Sequence, residues 1–164
     1  MYDVVYGSSA ETNPHDVAEF YDRLGHNIDA ETQQIGRMID RSVSFVSARV
    51  NGTLIGIARG VCDGIRGYFT ECKLDPAYQG PAAVTRRDGR IEHDAYGIAA
   101  EMARRVMEDL LQAGARRVDV LAFGTEVDFL EEQGFRKSPG LVALSLRPED
   151  WLTRQAQNKA VAVS

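Results

Sequence analysis

Leu74-Asp75-Pro76-Ala77-Tyr78-Gln79-Gly80 and Gly97-Ile98-Ala99-Ala100 are the two stretches that decide how this chain folds. The first closes a strand-like run, Gly67 to Leu74, with a proline and a glycine turn. The second opens a long amphipathic pattern in which Ile98, Met102, Val106 and Leu110 recur every fourth residue, with Ala99, Ala103, Met107 and Leu111 beside them. Such a stripe is wide enough to lie on a sheet, and Gly114 marks its end. A strand, a glycine loop and a helix N-terminus in that order form a device for holding a pyrophosphate, because free N–H groups and the helix dipole both favour an anion. The backbone of Gln79, Gly80, Gly97, Ile98, Ala99 and Ala100 is the expected cradle. A polar segment, 81–96, separates its two halves.

Outward from this point the pattern is a meander. Asn51-Gly52 between the apolar runs Ser42 to Val50 and Thr53 to Val61 predicts a two-residue type I′ hairpin, which needs positive φ at both central residues. Asp63-Gly64 predicts a second hairpin into Gly67 to Leu74. Upstream, Tyr2 to Tyr6 reads as a short strand. Asn13-Pro14 starts a helix, with Asn as N-cap and Pro at the first position, and Val17, Phe20, Tyr21 and Leu24 share its apolar face before Gly25. Asp29 is placed to cap a second helix carrying Ile35, Met38 and Ile39. Downstream, Val118 to Phe123 reads as a buried strand, Thr125 to Gln133 as a short helix and Leu141 to Leu146 as a last strand. After Trp151 the apolar pattern weakens, and residues 151–164 are expected to fray. The expected class is α+β. An antiparallel meander is followed by one βαβ crossover, right-handed, which makes 67–74 and 118–123 parallel within one domain, 1–150, with helices on both faces.

The chain has 164 residues, 44% hydrophobic and 26% charged, as expected for one soluble domain with a real core. Its net charge of −5 argues against a general nucleic-acid binder. No apolar run approaches the roughly 20 residues that span a bilayer, and Met1 to Tyr6 lacks the features of a signal peptide. The two cysteines, Cys62 and Cys72, read as core thiols of a cytoplasmic protein. His15, His26 and His93 have no ligand spacing, so no metal is expected.

In this order the motifs resemble the GNAT acyltransferase superfamily, whose members move acyl groups from acyl-coenzyme A, mostly to amines. Leu74, Pro76, Gln79-Gly80 and Gly97-Ile98-Ala99 match the family's loop when 81–96 is treated as an insertion. Phe129-Leu130-Glu131-Glu132-Gln133-Gly134-Phe135 is similar to its Phe-Tyr-Glu-x-x-Gly-Phe helix end. Leu54 to Arg59 with Asp63-Gly64 resembles its Gly-x-x-Arg…Asp-Gly hairpin. The resemblance implies acetyl-CoA as co-substrate, a small-molecule primary amine as acceptor, and an oxyanion donor at a late bulge near Leu74. Leu130 stands where the family typically has a tyrosine that protonates the departing thiolate, and the family's cofactor-contacting Asn is replaced around Phe123-Gly124.

An alkylammonium is neutral at only about one part in a thousand near pH 7, so aminolysis gains most from a base. Glu71, where many family members carry an acid, and Tyr68 are the base candidates on the strand. Tyr96 is a substitute acid entering from a new direction. Arg86, Arg87 and Arg90 are candidates for reaching the cofactor's phosphates, against the alternative of a solvated loop. The family places the acceptor by the first two helices, where Tyr21, His26 and Asn27 could line it. By analogy, Leu141 to Leu146 could join a homodimer interface. Two other readings stay open: a non-catalytic GNAT domain that binds a ligand or partner, and acyl transfer from a carrier protein.

Overall fold

The computed structural model describes residues 1–81 and 88–163. Five strands, β1 (Val4–Gly7), β2 (Ser44–Val50), β3 (Thr53–Cys62), β4 (Arg66–Leu74) and β5 (Arg117–Asp119), lie side by side in sequence order. β1 to β4 are antiparallel neighbours, whereas β5 runs parallel to β4. The helices are α1 (Pro14–Arg23), α2 (Thr32–Arg41), α3 (Ile98–Gln112), α4 (Val127–Glu132) and α5 (Pro148–Val163).

The local signals act as the sequence predicts. Asn51 (φ 50°) and Gly52 (φ 81°) both take the left-handed region, and Val50 pairs with Thr53 across them. Asp63 accepts from the Ile65 and Arg66 N–H groups at 2.9 and 2.8 Å, which closes the second hairpin. The Asn13 side chain caps α1 by accepting from the His15 N–H at 2.8 Å. Asp29 does not cap α2. It turns the chain at φ 50°, and Glu31 is the N-cap, with Gln34 accepting from the Glu31 N–H at 2.9 Å.

Two apolar layers sandwich the sheet, so helices cover both faces. One gathers Ile55, Ala58, Phe69 and Leu74 under α3, which buries Ile98, Met102, Val106 and Leu110. The other places Phe20, Tyr21, Ile35 and Ile39 from α1 and α2 on Phe45, Leu54 and Ile57. Each large apolar side chain so buried stabilises the fold by about 1.5–3 kcal/mol.

The C-terminal part departs from expectation. β5 holds only three residues, and 120–123 leaves the ladder. Leu141 to Leu146 forms no strand: no described neighbour pairs with it, and Leu141, Val142, Leu144 and Leu146 are exposed. Of the tail, residues 151–163 lie within helix α5, which buries no residue.

Candidate functional site

β4 pairs with β5 only through Arg66, Gly67 and Tyr68. From Phe69 to Leu74 its outer edge has lost that partner, and a 220 Å³ cavity opens between β4 and the segment that follows β5. Glu71, Cys72 and Lys73 line it from β4, and Phe123, Glu126 and Leu130 from the opposite wall. A second cavity of 690 Å³ lies between α1 and α2, lined by Tyr21, Asp22, His26, Asn27, Asp29 and Glu31 among others. His26 borders both cavities, so they adjoin at its ring. Tyr21, His26 and Asn27, named from the sequence as acceptor-side residues, all line the larger one.

Glu71 stands near that junction. The Tyr21 hydroxyl and the Arg59 Nε (3.1 Å) both donate to its Oε1, which fixes the carboxylate. Burial, and then the Glu71 charge, push the Tyr21 phenol far above its ordinary value, so it stays protonated and donating. Tyr21 also stacks obliquely on His26, with centroids 5.1 Å apart. Burial, and then the Lys73 cation, push the His26 imidazolium below its ordinary pKa. Burial likewise lowers Lys73 and raises Glu126. Sequence reasoning missed Lys73 and Glu126 as members of this cluster. On a strand and a short helix they look like solvent charges, and only the splay of β4 from the chain after β5 turns them inward.

The two stretches named from the sequence as a phosphate cradle are engaged by the chain itself. The Ala99 and Ala100 N–H groups at the start of α3 donate to the two carboxylate oxygens of Asp94, at 2.9 Å each. The Gly97 N–H donates to the Asp94 carbonyl at 3.2 Å. On the other half, the Gln79 N–H donates to Pro76 O, and Gln79 O accepts from the Ala95 N–H at 3.0 Å. A Cβ on Gly80 would lie 2.8 Å from that of Ala95. The two halves therefore flank Asp94-Ala95. The space beside them, 450 Å³, is rimmed by Glu92, Asp94, Asp128 and Glu132. Asp94 lies three residues outside the N-cap position, Gly97, so the capping pattern, which looks for the side chain at the N-cap itself, does not find it.

No protein-family model matches this chain, and no curated protein matches it. Solved structures do. A GNAT-family acetyltransferase from Streptococcus pneumoniae superposes with a TM-score of 0.63 at 16% identity, over 88% of this chain and 100% of its own. The chain has the GNAT acetyltransferase fold. A protein from Clostridium acetobutylicum described as a predicted acetyltransferase, solved with acetyl-CoA, gives 0.61 at 14% identity over 88% and 97% of the two chains. An aminoglycoside acetyltransferase from an uncultured soil metagenomic sample, in complex with sisomicin, gives 0.60 at 9% identity over 88% and 96%.

Within this GNAT fold the remaining expected residues scatter. Tyr68 is 46% exposed beside β5 and lines neither cavity. Tyr96 packs edge-on against Tyr2, centroids 5.2 Å apart, and lines neither cavity either. Leu130 is buried in the wall of the cleft. The register shift in β4 falls at Thr70, between Glu71 and Phe69, rather than near Leu74. The Leu74 N–H, named as the oxyanion donor, already donates to Gly89 O at 2.9 Å. Arg90 is stacked on Phe123, and Arg86 and Arg87 lie outside the described residues. Among the described residues no group of three or more His, Cys, Asp or Glu is placed to hold a metal ion. No described helix is long and apolar enough to cross a membrane.

Proposed function

We propose that this protein is an acyl-CoA-dependent N-acetyltransferase that moves an acetyl group from acetyl-CoA to the primary amine of a small molecule. The observation that carries the reading is one juxtaposition. A fixed carboxylate, Glu71, stands beside the contact between an open acidic cavity and the β4/β5 cleft, and the α3 amides at the same sheet end already hold an anion.

Bound acetyl-CoA would supply the activated thioester carbonyl, with its diphosphate on the Gln79–Gly80 and Gly97–Ala100 backbone. The chain's own residues do the rest. Asp22, Asp29 and Glu31 draw a cationic amine into the larger cavity. Glu71 takes the amine's proton through a water, held in place by Tyr21 and Arg59. The Leu74 N–H, once released from Gly89, is the donor that β4 offers toward a carbonyl in the cleft. Leu130 offers no proton to the departing thiolate, and a thiol pKa near about 8.5 lets that group leave unprotonated. A homodimer belongs to the same reading: a second copy covers the exposed Leu141, Leu144 and Leu146. Sedimentation of the wild type at two concentrations, against Leu144→Glu, tests it; a wild type that stays monomeric at both rejects the dimer.

The test of the activity is thiol release from acetyl-CoA over a panel of small primary amines. Glu71→Gln is expected to lower kcat/KM by about 10²–10⁴-fold and to flatten the acid limb of its pH profile. An unchanged profile removes Glu71 as the base. A second reading, a non-catalytic ligand-binding domain, is favoured by the Asp94 carboxylate on the cradle amides and by the four carboxylates rimming the space beside it. Acetyl-CoA binding without turnover on any amine selects it. The same acidic rim disfavours an acidic carrier protein as donor.

A further inference from the structure

Residues 88–95 do more than connect the halves of the cradle. Arg90 forms an antiparallel bridge with Lys73, on the edge of β4 that β5 has left. The Leu74 N–H is taken by Gly89 O, and the Lys73 ammonium donates to Asp88 O at 2.8 Å. Ile91 is fully buried in the core under α3. The Arg90 guanidinium lies 3.3 Å from the Phe123 ring centroid, bridging the cleft, while its Nε holds Asp88 at 2.7 Å. The Gln79 amide donates to Leu74 O and Arg90 O and accepts from the Glu92 and His93 N–H groups. Finally Asp94 places its two oxygens on Ala99 and Ala100.

A ligand whose carbonyl meets Leu74 and whose diphosphate meets α3 must run along that same β4 edge. At both ends of that path the Leu74, Gly97, Ala99 and Ala100 N–H groups are already used by one continuous stretch of this chain. We propose that residues 88–95 are an internal competitor of acetyl-CoA: a peptide strand on β4 in place of the cofactor's arm, and the Asp94 carboxylate in place of its diphosphate. This rests on the transferase reading above. A backbone N–H carries one hydrogen, so Asp94 and a phosphate cannot both hold Ala99 and Ala100 in full. The segment leaves before the cofactor seats, and the apparent affinity falls by the fraction of molecules in which it has left.

Gly89 is the point at which the plug can be loosened without touching the cradle. It sits at φ 77°, and a Cβ there would lie 2.6 Å from a Leu24 methyl and 3.5 Å from Leu74 O. Gly89→Ala therefore strains the closed form alone. Calorimetry is expected to find acetyl-CoA bound about tenfold more tightly by Gly89→Ala than by wild type. Hydrogen exchange on the wild type reads the same event without a variant. Acetyl-CoA should expose the Glu92, His93 and Ala95 amides while Ala99 and Ala100 stay protected.

Binding to wild type with protection of 92–95 unchanged overturns the competitor and leaves the transferase reading standing. So does equal or weaker binding by a Gly89→Ala protein that melts cooperatively. Should that variant fail to fold, the exchange experiment decides alone. If neither protein binds acetyl-CoA, the transferase reading falls and the competitor with it.

Discussion

The two sides of β4 are made differently. Toward β3, it pairs from Gly67 to Leu74, and the meander behind it is closed by two short turns whose residues dictate their own geometry. Toward β5, it pairs at three residues, and the chain after β5 contributes only a few side chains to the core. One side is specified by neighbours in sequence. The other depends on what comes to lie beside it, and here that is residues 88–95. The contrast teaches that the half of this sheet that gives a fold its rigidity is written locally, while the half that would handle ligands is left open to competition.

The largest way to sharpen the contrast is truncation on each side. Ile57 is fully buried between β2 and β4 under α1 and α2, and Ile57→Ala should cost about 2–5 kcal/mol in denaturant unfolding. Leu144 is 91% exposed, and Leu144→Ala should change the stability of the monomer by less than about 0.5 kcal/mol. Comparable losses at both positions would mean that the C-terminal part is packed in solution as firmly as the meander.

A smaller effect comes from the junction of the cavities. Burial depresses the His26 pKa in the folded state, so below the ordinary value near 6.5 the unfolded chain takes a proton that the fold resists. Stability is full above that value and is lost as pH falls through it toward the folded pKa. Thermal melts of wild type should therefore decline between about pH 7 and pH 5, and His26→Asn should shrink that decline. An equal decline in both would place the titration elsewhere.

The smallest effect belongs to the outer face of α3. There Arg104 and Arg105 hold Glu101, chiefly through hydrogen bonds, at a pKa of about 2. These pairs are solvated, and Glu101→Gln should shift Tm by less than about 2 °C, less still in high salt. A larger shift would mean that α3 relies on its surface as well as on its buried stripe.

How much of this was legible follows from the same contrast. Asn51-Gly52, Asp63-Gly64 and Asn13-Pro14 each act through their own backbone or a neighbour two or three residues away, so the sequence alone reads them correctly. The α3 stripe is as plain, because its period repeats over fifteen residues. Leu141 to Leu146 is not. Alternation announces an apolar face but cannot supply the strand that would pair with it, and no described strand does. The candidate site divides in the same way. Glu71, Tyr21 and His26 come from the family resemblance, and the structure places all three around the two adjoining cavities. The Asp94 carboxylate on the α3 amides, and Gly89 and Arg90 on the edge of β4, rest on contacts between segments, and spacing is silent about those.

Gln79 condenses the arrangement into a single functional group. Its primary amide is fully buried and straddles two partners with separate histories: Leu74, fixed in the sheet, and the 90–93 stretch, which must be able to let go. A glutamate would keep the acceptor and lose both donors; a leucine would keep the volume and lose everything polar. One side chain is thus both hinge pin and latch, and its two amide protons, each on a different carbonyl, would report the latch in one spectrum.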